Sequence, residues 1–139
     1  MSKILIFAVT FFATTGAVAQ ASLELTIKGI KDPVGEVYVG LFNRPDHFLE
    51  KTVEAKVISL EADWAVVIFK DLPPGVYAVS VFHDRNRNGK LDSNSLGIPK
   101  EGFAFGNNAM GLFGPPSFDR AGIAIKDSPV RQVLVLRYF

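Results

Sequence analysis

Between positions 84 and 92, oxygen-bearing side chains fall on alternate residues: Asp84, Asn86, Asn88 and, past Lys90, Asp92. Gly89 follows Asn88, and apolar Leu91 precedes Asp92. A short loop that alternates in this way turns its polar oxygens toward one centre, and a glycine at the sixth position allows the sharp bend. The chemistry that follows is the binding of one hard cation. With neither His nor Cys in the set, the oxygen ligands favour Ca²⁺ over Zn²⁺ or Cu²⁺. Asp84, Asn86 and Asn88 each offer one oxygen, Lys90 offers its main-chain carbonyl, and Asp92 binds directly or through water. The side chains of Arg85, Arg87 and Lys90 fall between the ligands and are expected to point outward.

The stretch fills the first nine positions of an EF-hand-type calcium loop and departs at the twelfth, where Ser95 stands in place of a bidentate Glu. The nearest substitute is Glu101, brought back by turns at Gly97 and Pro99. The candidate metal set is therefore Asp84, Asn86, Asn88, Lys90, Asp92 and Glu101. Without the last carboxylate the expected affinity is weak, ~10⁻⁴–10⁻³ M, in the range of extracellular modules. A metal-free loop closed by Asx turns, with Asn88-Gly89 as its bend, is the alternative that these residues leave open.

Other chemistry finds less support. His83 beside Asp84 is a candidate base or ligand, but no second His lies nearby, and a strand-end His hydrogen-bonded to the loop is the simpler expectation. His47 lies in a different turn. Ser117, with Asp119, lacks the context of a nucleophile elbow, so no catalytic residue is assigned. The absence of Cys removes thiol nucleophiles, thiolate metal sites and a disulfide framework.

The elements that must hold the loop read as strands. Leu23, Leu25 and Ile27 alternate with polar residues, and so do Val37, Val39 and Leu41 with their neighbours. Val53, Ala55 and Val57 alternate again, and 65–69 is a denser apolar run suited to a central strand. Asp71-Leu72-Pro73-Pro74-Gly75 is a firm turn, expected between neighbouring strands, before the run 76–82. Segments 123–125 and 133–138 complete a pattern of short strands that points to an antiparallel β-sandwich. No segment of useful length has helical periodicity.

Residues 84–118 break the rhythm, with 35 positions lacking a convincing strand and six of the twelve Gly. Such a length is functional or disordered in most domains. Leu96, Ile98, Phe103, Phe105, Met110, Leu112, Phe113 and Phe118 make it too apolar to leave in water, so an ordered cap packed on the sandwich is expected. Phe103, Phe105, Phe113 and Phe118 are its expected anchors.

The first 19 residues have a different character. Lys3 lies in a short positive start, 4–12 is apolar, and Ala17-Val18-Ala19 fits a signal-peptidase site, giving cleavage before Gln20 and a periplasmic or secreted location. About 120 residues remain, enough for one domain, 20–139, and no transmembrane segment is expected in them. The whole chain has 15 Lys and Arg against 14 Asp and Glu, and loss of Lys3 balances them. A neutral chain has no basic footprint for nucleic acid.

Phe69-Lys70-Asp71-Leu72-Pro73-Pro74-Gly75-Val76-Tyr77-Ala78-Val79 resembles the F-x-x-L-P-P-G-x-Y-x-V signature of carboxypeptidase regulatory-like and transthyretin-like sandwich domains. The mature chain as a whole resembles the bacterial domain-of-unknown-function family 2141. That family carries G-x-Y-A, H-D-x-N-x-N-G-x-L-D, G-I-P-x-E and Pro-Pro-Ser-Phe motifs, found here at 75–78, 83–92, 97–101 and 115–118. Gly106 departs from it, since a Ser before the Asn is common there. The resemblance implies an exported all-β, Ig-like or transthyretin-like sandwich of about seven strands, with a long ordered Gly-rich loop.

The expected function is a non-enzymatic binding module with calcium in its loop, and a glycan, a peptide or another envelope protein as candidate partner. A hydrolase of envelope or carbohydrate substrates using carboxylates of the 84–101 loop is one alternative. An assembly module pairing through a sheet edge is the other.

Overall fold

Alternation sorts the first strand onto two faces. In β1 (Ala21–Lys28), Leu23, Leu25 and Ile27 are buried while Glu24 and Thr26 lie half-buried on the other side. The structure, a computed structural model, describes residues 21–139 together with Thr10, Phe11 and Ala13. The leader and its cleavage site are thus essentially outside the described residues. β1 is the middle of a three-stranded sheet, antiparallel to β4 (Ala65–Leu72) and parallel to β8 (Val130–Val135).

The facing sheet runs β3 (Glu54–Ser59), β2 (Glu36–Phe42), β5 (Gly75–Asp84). The far edge of β5 is shared by β7 (Gly122–Ile125) along 75–78 and β6 (Phe103–Phe105) along 80–82. Every ladder but β1–β8 is antiparallel. β8 arrives from the other sheet and not through a hairpin, so nothing obliges it to run against β1. The fold is the expected all-β sandwich. Leu23, Leu25, Ile27, Phe69 and Leu134 of one sheet meet Val37, Val39, Leu41, Val79 and Ile125 of the other in its core.

Three local expectations are corrected. The 65–69 run, expected as a central strand, lies in β4 at the edge of the three-stranded sheet, where its alternate residues Ala65, Val67 and Phe69 are buried against the facing sheet. The turn at 71–75 joins strands of different sheets, not neighbours in one ladder. Two prolines stop β4, and the Tyr77 hydroxyl donates to the Pro73 carbonyl at 2.6 Å, pinning the corner in the manner of a tyrosine corner. Burial raises the Tyr77 phenol above its ordinary value, so it stays a donor. In β3 and the residue before it, Val53 and Val57 face water, while Lys56 and Ile58 turn half-buried toward the core. The Lys56 ammonium lies 5.5 Å from the centre of the Phe69 ring. An inward charge on an edge strand discourages further pairing there.

The 84–118 stretch is not strandless. It contains β6, a 3-10 turn at Gly106–Asn108 and the start of a one-turn helix, α1 (Phe118–Ala121). As expected it forms a cap, and it lies on the outer face of the five-stranded sheet. Phe42 and Ala78 of that sheet meet Phe103, Phe105, Phe118 and Ala121. Phe48 packs edge-on against Phe42, Phe105 and Phe118 at centroid distances of 5.3, 6.5 and 5.9 Å.

Leu96, Leu112 and Phe113 overturn the expectation that the cap buries its apolar residues, being 81, 94 and 104% exposed; Ile98 is also exposed. The reason is local. Gly111 approaches the carbonyls of Gly114 and Pro115 so closely that the loop closes on itself and leaves 112–113 outside. Leu96 tops a turn closed by Asn94, whose side-chain oxygen accepts the N–H groups of Leu96 and Ile98.

Two Asn residues fasten the cap to the sandwich. Asn107 and Asn108 both have φ in the left-handed region, which Asn tolerates better than most residues. The Asn107 amide donates to the carbonyls of Arg120 and Gly122 at 3.0 and 2.8 Å. Asn108 donates to the Val133 carbonyl at 2.8 Å and accepts the Val135 N–H at 2.9 Å, standing in for a neighbouring strand along the edge of β8. Asn108→Ala should therefore lower stability by about 1–2 kcal/mol, read as a shift of the urea midpoint at unchanged slope.

Candidate metal centre

β5 delivers His83 and Asp84 to the rim of the sandwich, and Asp84 opens the loop. The turn before β2 lies against this point. Gly35, at φ 87°, touches the main chain of Asp84 and Arg85 so closely that no side chain fits there. Asp84 itself is fully buried. Its Oδ1 accepts the Asn88 N–H at 3.1 Å and its Oδ2 accepts the Gly89 N–H at 2.7 Å. Gly89 takes φ 76°, the left-handed bend expected of the sixth position.

The remaining oxygens follow the spacing in the sequence. Asn86 Oδ1 accepts the Asn88 N–H at 3.3 Å, and Asn88 Oδ1 accepts the Lys90 N–H at 3.0 Å, each an Asx turn. Asn86 Nδ2 donates to Asp92 Oδ2 at 2.7 Å, and Asn88 Nδ2 donates to Asp92 Oδ1 and Oδ2 at 2.8 and 2.9 Å. The Asn88 amide and then the Asn86 amide hold the Asp92 carboxyl below its ordinary 3.8; desolvation opposes them, and the Lys100 and Lys90 charges add smaller lowering effects. A carboxyl lowered in the fold stabilises it above the unfolded value and loses that contribution as the pH falls through the folded one.

Glu101 does return to the loop, where it is buried. Its Oε1 accepts the Arg85 N–H at 3.1 Å and its Oε2 accepts the Asp92 N–H at 3.0 Å. It thus ties the second and ninth loop positions together at the neck. Ser95, at the twelfth, is exposed in the turn beyond. Arg85 and Arg87 point outward as expected, Arg85 to Asp32 and Arg87 to Glu36 at 2.9 Å. Lys90 is exposed as well.

Among the described residues no three His, Cys, Asp or Glu side chains are grouped to hold a metal. A cation here would depend on the two amides and the Lys90 carbonyl beside the carboxylates. The donor set is all oxygen and suits a hard ion. In the present arrangement both amides show nitrogen to Asp92. Turning each amide oxygen to a central ion would rotate the group about Cβ–Cγ and give up the bonds that Asn86 Oδ1 and Asn88 Oδ1 accept from the Asn88 and Lys90 N–H groups.

His83 is buried, with its Nε2 2.6 Å from the Val34 carbonyl and its Nδ1 2.9 Å from the Tyr138 hydroxyl. A carbonyl only accepts, so Nε2 carries a proton; the neutral tautomer that this selects accepts at Nδ1 from Tyr138, whose oxygen also accepts the Lys31 N–H at 3.1 Å. The hydrogen-bonded His expected from the sequence is found. Its partners lie in the 29–35 turn and the C-terminal segment, however, and not in the 84–92 loop. Burial raises the Tyr138 phenol. Ser117 caps α1, accepting the Arg120 N–H at 3.3 Å.

Two shallow recesses flank the neck. One, of about 290 Å³, is lined by Lys31, Asp32, His83 and Tyr138. The second is lined by Val34, Asn86 and Asp92, and both share Arg85, Lys100 and Glu101. Val34, Lys31 and Tyr138 had no local signal in the sequence, because 49 and 55 residues separate His83 from its partners.

Comparison with curated proteins and with solved structures gave no match. Residues 25–132, which contain the loop, its neck and most of both sheets, match the family described as "Uncharacterized protein conserved in bacteria (DUF2141)", and the chain belongs to that family.

Proposed function

We propose that this chain is an exported, non-enzymatic binding module whose 84–92 loop is ordered by Ca²⁺ and offers the adjoining recesses to a glycan, a peptide or another envelope protein. The observation that carries the reading is the convergence of Asp84, Asn86, Asn88 and Asp92 at hydrogen-bonding distance around one loop. The leader-like first 19 residues support export. Among the described residues no helix is long and apolar enough to cross a membrane. A loop fixed in advance, by its own bonds and by the ion, loses less entropy when a partner binds.

The alternatives have less behind them. A hydrolase needs a carboxyl pair facing an open cleft, whereas Asp84 and Glu101 are buried with all four oxygens on main-chain N–H groups. Assembly through a sheet edge needs an unguarded strand. β3 carries the inward Lys56, and β4 is irregular near its end, with Asp71 at φ 55°.

Thermal unfolding in ~10 mM calcium against chelator tests the reading. With a dissociation constant of ~10⁻⁴–10⁻³ M, binding to the native state alone adds about 1–3 kcal/mol, several degrees in melting temperature. An unchanged melting temperature removes calcium from the account.

A further inference from the structure

We propose that the recess bounded by Lys31, Tyr138 and Lys100 binds a small oxyanion, a carboxylate or phosphate group carried on a body the size of one sugar. This deepens the binding-module reading, on which it rests, and does not depend on calcium in the loop.

The argument is one of charge left without a partner. Of the carboxylates that line the recess, Asp32 accepts from Arg85 through Nε and Nη2, using one oxygen. Glu101 is buried, and both its oxygens accept main-chain N–H groups. Among the described residues, neither Lys31 nor Lys100 has a carboxylate within 4.0 Å, although Lys100 feels Asp92 at longer range. Lys31 and Lys100 therefore line the same recess with no carboxylate in ion-pair range among the described residues. Arg85 adds an Nη1 with no partner among the described hydrogen bonds.

The rest of the wall suits the body of such a ligand. The Lys31 ammonium lies over the Tyr138 ring, 5.1 Å from its centre, so the ring positions this cation beside the recess. His83, the Tyr138 hydroxyl and the Lys31 N–H are already bonded to one another and to Val34, which fixes the floor. The volume, about 290 Å³, falls just short of the ~300–1,000 Å³ of drug-sized sites and admits one ring rather than a chain.

The test is a titration of the ¹⁵N-labelled protein, in chelator and at constant ionic strength, with glucuronate, glucose 6-phosphate, inorganic phosphate and glucose. Saturable amide shifts around Lys31, Lys100 and Tyr138 are expected with at least one anion and not with glucose. The two sugar anions distinguish carboxylate from phosphate, and free phosphate tells whether the sugar body contributes. Lys31→Ala and Lys100→Ala should each weaken that anion about tenfold, while Lys126→Ala, outside the recess, should not. Both lysine side chains are exposed, and Lys31→Ala keeps the N–H that Tyr138 accepts, so the variants should fold. Shifts that do not saturate, or that persist unchanged in the Lys31→Ala/Lys100→Ala double variant, overturn the proposal. Because every arm is calcium-free, that failure leaves the calcium response of the loop to its own measurement.

Discussion

Asp84→Ala should destabilise the protein by about 2–4 kcal/mol in chelator and abolish any response to calcium. The size follows from what the carboxylate does without an ion. It is fully buried and accepts the N–H groups of Asn88 and Gly89, the two main-chain donors that form the bend. Alanine removes both charge-assisted bonds and leaves a void under the loop; water reaches the exposed side of the bend and recovers part of the loss. Asp84→Asn is the informative partner. It keeps one acceptor oxygen but turns an amide nitrogen toward a second N–H, so in chelator it should fall between wild type and alanine. Like alanine, it should lose the calcium increment, because a ligand charge is gone. Urea unfolding of the three proteins in each condition reads both effects. A loss below about 0.5 kcal/mol for alanine in chelator would mean that the bend does not depend on this carboxylate.

Glu101→Ala should cost a similar amount, about 2–4 kcal/mol in chelator, because it frees the N–H groups of Arg85 and Asp92 at the neck. The variant also separates two roles for this residue. A Glu that only ties the neck predicts lower stability in both conditions, with part of the calcium increment remaining, since Asp84, Asn86, Asn88 and Asp92 are still present. A Glu that ligates the ion predicts complete loss of the increment. The present hydrogen bonds favour the first outcome. Glu101→Gln keeps one acceptor and should lie between wild type and alanine in chelator.

The sequence made the core strands legible and the edges less so. β1 and β2 follow from alternation because one face of each is buried, and their limits are close to those expected. β3 failed in its faces. Val53 and Val57 look like an inner row, but on an edge strand Lys56 lies inward, its stem along the core and its charge at the rim. β6 was illegible because three residues in a Gly-rich stretch carry no periodicity. They are a strand only through their ladder with residues 80–82 and their bonds to Arg137.

At the site, spacing alone led to Asp84, Asn86, Asn88 and Asp92, since an Asx-rich loop organises itself over a few residues. Glu101 is the next carboxylate in sequence after Asp92, and it does arrive. Its partners, two main-chain N–H groups, are not written in side-chain types. Nor are the contacts of Val34, Lys31 and Tyr138 with His83, which exist only once the sandwich brings the 29–35 turn and the C-terminal segment together.

The central claim is that a cation takes the middle of the 84–92 loop. The side-chain amides of Asn86 and Asn88 report it most directly, because their N–H groups now donate to Asp92 and must turn away when an ion enters. A calcium titration of the ¹⁵N-labelled protein, followed at those two NH₂ groups, should show both resonances moving together and saturating, at ~10⁻⁴–10⁻³ M. The main-chain amides of Asn88 and Gly89 should shift with them, and Asp84→Ala should abolish the response. Amide resonances that stay in place through ~10 mM calcium would contradict the claim and leave the loop closed by its own hydrogen bonds alone.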